Sequence, residues 1–61
     1  MNNLSATCIE QNDDKPHVMH EVRGIEDGIN YRIEISSECP MTAIKIATFV
    51  PLSYWEKLCQ Q

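Results

Sequence analysis

The chain has 61 residues, 43 % apolar and 23 % charged, with a formal charge of −4. That is an ordinary globular mixture, which excludes a disordered chain, but folding hides only about 60 % of the unfolded surface at this length. Residues 1–38 carry eight acids against Lys15, Arg23 and Arg32, and residues 39–61 carry Glu56 against Lys45 and Lys57, so no basic patch exists for direct nucleic-acid binding.

No run reaches the roughly 18 to 20 apolar residues of a membrane span. The opening Met1-Asn2-Asn3-Leu4-Ser5 lacks the basic and apolar regions of a secretory signal. Three cysteines form no paired framework, so a cytoplasmic protein with reduced thiols is expected. A thin core in so small a chain favours a protein partner or a homodimer that supplies further burial.

Residues 3–11 read as a first strand, in which Leu4, Ala6 and Cys8 alternate with Ser5 and Thr7 and Ile9 breaks the pattern. Asn12-Asp13-Asp14-Lys15-Pro16 is a turn. A second strand follows over 17–24, with Val18, His20 and Val22 on one face. Residues 29–36 form the clearest strand, Ile29, Tyr31, Ile33 and Ile35 alternating with Asn30, Arg32, Glu34 and Ser36.

Two registers compete for the hairpin. An Asp27-Gly28 loop has the better turn chemistry but sets Glu21 against Glu34 and Arg23 against Arg32. A Glu26-Asp27 loop pairs Glu21 with Arg32 at the expense of the turn. Both place Val18, His20 and Val22 on the face of Tyr31, Ile33 and Ile35, because a two-residue shift preserves parity.

Ser37 as cap, Glu38 at the positive dipole end and Pro40 in the first turn predict a helix over 38–50, ended by Pro51. Ala43, Ile44, Ile46, Ala47 and Val50 form its apolar stripe, with Met41 and Phe49 on the other side. Ser53-Tyr54-Trp55-Glu56 matches a capping box and predicts a short second helix over 54–60. The fold expected is α+β: a three-stranded antiparallel meander with one packed helix and a short C-terminal helix, in a single domain over 1–61.

Chemistry is sparse. Cys39 falls in the first helical turn, where unpaired N–H groups lower a thiol pKa, and is the candidate reactive thiol. His17, His20, Cys8 and Cys39 are metal-ligating types, but residues three apart on a strand point to opposite faces, so no metal site is expected. No glycine-rich phosphate loop is present, and the acid pairs Asp13-Asp14 and Glu26-Asp27 sit at opposite ends of a meander. Neither a cofactor nor catalysis is expected.

Met41, Phe49, Tyr54 and Trp55 are the candidate partner-binding residues, since aromatics and methionine dominate binding surfaces. The acids of the two turns would set the approach. The function expected is that of a small acidic, non-catalytic binding protein acting on a larger protein, such as a regulator, adaptor or phage-type inhibitor. Its rivals are a thiol-redox or metal-binding protein centred on Cys39 and a small subunit of an assembly.

Overall fold

A computed structural model describes residues 1–58. It shows a mixed α+β fold: a four-stranded antiparallel sheet in the order β1-β2-β3-β4, with one helix on a single face. The strands are β1 (Asn2–Cys8), β2 (Val18–Glu26), β3 (Ile29–Ser37) and β4 (Glu56–Lys57). The helix α1 runs over Pro40–Ala47, and a 3-10 turn follows over Leu52–Tyr54.

The Asp27-Gly28 loop wins the hairpin. β2 and β3 pair from Glu26–Ile29 through Val22–Ile33 to Val18–Ser37. Asp27 and Gly28 both take positive φ, +53° and +77°, as the tight turn that matches strand twist requires.

The like charges this register opposes are reconciled diagonally. Glu21 accepts from Arg32 Nε at 2.7 Å and from Arg23 Nε at 2.9 Å. Arg32 also donates to Glu34 at 2.6 Å and to Glu56 at 2.7 Å. A guanidinium with five donors in a fixed fork can serve three carboxylates at once. The neighbouring carboxylates push the Arg32 pKa upward, Glu34 contributing most, then Glu56 and Glu21.

On the opposite face Val22, Ile35, Ala43, Ala47 and Trp55 are buried together, with Leu4, Ala6, Tyr31, Ile33 and Val50 packed around them. Ala43 and Ala47 lie one turn apart and face the sheet with minimal side chains, which lets α1 sit close. Ile46, expected on the buried stripe, is exposed.

β1 stops at Cys8 rather than continuing to residue 11, although the Ile9 N–H still donates to the Met19 carbonyl at 3.0 Å. Beyond it the Glu10 carboxylate takes over, accepting from the Met19 N–H at 2.9 Å and from Lys15 at 2.9 Å. β1 also contains a bulge: Asn2 pairs with Ile25 but Ser5 with Arg23, and Asn3 takes the left-handed conformation at φ +58°. The helix is shorter than expected, closing through Phe49 N–H to Ile46 O and Val50 N–H to Ala47 O. Its N-cap is Cys39 instead of Ser37.

The largest correction concerns the short C-terminal helix over 54–60. In its place are the 3-10 turn, an extended Trp55 and the two-residue β4. A two-turn helix has few internal bonds, whereas this path gives Tyr31 and Arg32 strand partners and brings Glu56 to Arg32. It also lets the Leu58 N–H donate to Asn30 O at 2.8 Å. The remainder of the expected helix, 59–61, lies outside the described residues.

Two predictions follow from this register. Gly28→Ala meets no atom within 4 Å of the added Cβ, so its cost is conformational, about 1 kcal/mol, seen as a lower urea midpoint at unchanged slope. The second concerns acid: hydrogen bonds from Arg32 and then Arg23 hold Glu21 below its ordinary value of 4.5. A carboxylate lowered by folding stabilises above its unfolded pKa, and that stability is lost as pH falls through the folded value. Stability should therefore fall below about pH 4.5, and Glu21→Gln should be weaker at pH 7 with a flatter acid limb in urea titrations at stepped pH.

Candidate functional site

The molecule has two chemically distinct ends. At one end, the tail of α1 runs into the loop 48–55 beside the Asp27–Gly28 turn. At the other, the end of β3 meets the start of α1.

The loop end presents apolar side chains to solvent. Phe49 is 87 % exposed and Tyr54 72 %, and Leu52 and Ile46 are also exposed. From Ile46 to Trp55 the chain carries no charged side chain. Its backbone is nonetheless tied down: Tyr54 N–H donates to Pro51 O at 3.0 Å and Trp55 N–H to Leu52 O at 2.9 Å. Trp55 itself is 8 % exposed, and its indole Nε1–H donates to Val50 O at 3.2 Å. Beside the loop a cleft of about 300 Å3 opens, walled by Leu4, Ala47, Val50, Leu52 and Trp55, with Glu26 among its polar lining.

The sequence-expected contact residues are thus divided. Phe49 and Tyr54 stand in solvent on one loop, five residues apart. Met41 is 68 % exposed, but it sits in the first turn of α1, about 12 Å of helix away at 1.5 Å per residue. Trp55 anchors the loop from beneath. Among the described residues no second helix covers Met41 or Phe49. Leu52 and Ile46 were missed by helical-face reasoning, although the uncharged run 46–55 was a readable sign of them.

At the other end Cys39 caps α1 with extended backbone, φ −158° and ψ 162°. Its Sγ lies 3.2 Å from the Thr42 hydroxyl. No capping hydrogen bond closes from Sγ to the helix N–H groups, yet their positive ends bear on it. The Thr42 hydroxyl, then the Thr42 N–H, hold the thiol below the ordinary cysteine range against desolvation, with smaller contributions from the Met41 N–H, which lowers it, and Glu38, which raises it.

Next to it lies a polar pair that is almost wholly buried, His20 and Ser37, each 1 % exposed. The Ser37 hydroxyl donates to Cys39 O at 2.8 Å, so its 3.2 Å contact with His20 Nδ1 makes the ring nitrogen the donor. Ser37 therefore ties the strand end to the helix start from inside, where it was expected to cap from the surface. His20 was recognisable as a polar residue on the apolar face of β2. Its partner was not, because Ser37 pairs across from Val18 rather than from His20.

Buried in this way, Ser37 is not a nucleophile open to substrate. Among the described residues no three His, Cys, Asp or Glu side chains converge to hold a metal ion, and no helix is long and apolar enough to cross a membrane. Cys8 and Cys39 are free thiols, Cys8 in the open. Compared with protein-family models, curated proteins and solved structures, the chain matches none.

The thiol can be tested directly. Reaction with a chromogenic disulfide across pH 5–9, followed by mass mapping, should show Cys39 ionising below the ordinary cysteine value. Thr42→Val should move Cys39 back toward the ordinary cysteine value, with the circular dichroism spectrum unchanged.

Proposed function

We propose that the protein is a non-catalytic binding module that engages a larger protein, as a regulator, adaptor or inhibitor does, through the loop end of the molecule. The observation that carries this reading is the exposure of Phe49 and Tyr54 on a loop held in place by a buried tryptophan. Large aromatic side chains supply contact area with little conformational freedom to lose. The cleft beside Trp55 is of a size to receive one apolar side chain of a partner.

Charge sharpens the partner's chemistry. Glu26 lines the cleft but is paired with the N-terminal ammonium at 3.1 Å, so Asp27 in the turn is the acid left beside it, and the whole chain carries −4. The complementary surface has an apolar projection flanked by cations. Met41 extends the contact only where the partner also covers the start of α1. Trp55 acts by supporting Phe49 and Tyr54, and meets the partner only as a wall of the cleft.

A second reading, a thiol-exchange role for Cys39, rests on the lowered thiol at the opposite end of the molecule. The two readings use no residue in common.

The test is affinity capture from native extract, followed by measured affinities for whatever partner is retained. Phe49→Ala and Tyr54→Ala should each weaken that partner by tenfold or more, about 1.4 kcal/mol, with unchanged thermal unfolding. Ile9→Ala, far from the loop, should leave affinity intact, and added salt should weaken binding through screening of Asp27 and of the chain's net negative charge. Undiminished affinity in both aromatic variants would falsify the assignment of this surface. Trp55→Ala is unsuitable as a contact probe, because removing a buried tryptophan costs about 3–5 kcal/mol of stability.

A further inference from the structure

The two edges of the sheet are built differently, and the difference points to a second copy of this chain. On the β3–β4 side the edge carries Arg32, Glu34, Glu56 and Lys57, charges of the kind that discourage strand addition. β1 is the other edge. No side chain from Met1 to Ile9 is charged, and none is proline.

The direction of its hydrogen-bonding groups can be derived. Ile9 N–H donates inward to Met19 O, and bonding alternates along an antiparallel ladder. Ser5 and Thr7 therefore bond to β2, while Ala6 and Cys8 turn their N–H and C=O groups away from it. The bulge, itself an edge-blunting device, falls between Asn2 and Ser5 and includes Leu4, so the regular stretch runs from Ser5 to Cys8.

We propose that β1 pairs antiparallel with the β1 of a second copy, about a two-fold axis passing beside Ala6. In that register Ala6 lies opposite the partner's Ala6, and Leu4 lies opposite the partner's Cys8. Ala6 then exchanges both of its bonds with the partner's Ala6 by ladder geometry, and Cys8 lies beside the partner's bulged Leu4. Ser5 meets the partner's Thr7 on the polar face, a favourable pairing.

Parity places both helices on the same side of one continuous eight-stranded sheet. Leu4 and Ala6, which pack on the core but stay half-buried at the edge, gain cover from the other copy. A strand of five to seven residues is a short interface, so the association is of the weak, transient class. This proposal does not depend on Phe49 or Tyr54, and it shares with the loop-end reading only Leu4, which also walls the cleft.

Sedimentation equilibrium of the full chain over about 10 µM to 1 mM tests it. The expected result is an average mass rising from the 7.0 kDa of one chain toward twice that value. Ala6→Pro removes one outward N–H and no bond to β2, and proline is tolerated where an edge N–H faces solvent. It should stay monomeric over the whole range while keeping the wild-type circular dichroism spectrum. Ser5→Lys with Thr7→Lys alters only exposed positions, sets lysine opposite lysine across the axis, and should shift dimerisation at least tenfold toward monomer. If Ala6→Pro does not fold, this lysine pair decides alone. A wild-type chain that stays at 7.0 kDa throughout overturns the proposal. So does a dimer that survives the lysine pair, which would move the interface to another surface.

Discussion

The Asp27–Gly28 turn sets the β2–β3 register, and most of the molecule follows from that pairing. It places His20, Val22 and Ile35 beneath α1 and assembles Glu21, Arg23, Arg32 and Glu34 on the other face. Taken residue by residue that face looks frustrated, with arginine opposite arginine and glutamate opposite glutamate. The conflict dissolves because Arg32 reaches diagonally to Glu21 and along its own strand to Glu34. One donor set of Arg32 is left for Glu56, so the register also helps recruit β4. Each such ion pair is worth little when exposed, but here several share one guanidinium, and their effect is on specificity of pairing.

Much of this was legible from the residues. The alternation of Ile29, Tyr31, Ile33 and Ile35 with polar neighbours located β3, and the parity argument correctly placed Val18, His20 and Val22 on its face in either register. Direct cross-strand charge counting could not choose the register, because the deciding contacts are diagonal and one comes from Glu56, 24 residues beyond Arg32. The C-terminal segment misled for a related reason. Ser53-Tyr54-Trp55-Glu56 has the local form of a helix start, but strand bonding to Tyr31 and Arg32 and the burial of Trp55 outweigh a cap worth about 1 kcal/mol. Phe49 was identifiable as lying off the helical stripe. That Trp55 supports the loop from below was not, since the same aromatic composition suits a core anchor or a contact residue.

The core explains why edges matter so much here. Among the described residues the five buried apolar side chains include two alanines, so apolar burial there is modest and backbone pairing carries a large share of the cohesion. β1 and β4 are then more than flanking strands. Each closes one side of the hairpin, β4 with charges that finish the Arg32 cluster and β1 with small neutral residues. A fold with so little interior gains from added pairing along whichever edge presents no electrostatic obstacle.

The loop end follows a complementary logic. Phe49 and Tyr54 are exposed because Trp55 is buried: with its indole N–H on Val50 O and its ring in the core, Trp55 anchors the chain so that its flanking residues stand outward. The bonds Val50 to Ala47, Tyr54 to Pro51 and Trp55 to Leu52 hold this arrangement in the free protein. A partner that lands there meets side chains already displayed, and little ordering is left to oppose association. Were the loop ordered only by contact, its uncharged sequence would more readily collapse onto the nearby cleft, covering Phe49 and Tyr54. That they stay exposed is a consequence of the tryptophan anchor, which ties the thin core directly to the surface proposed for recognition.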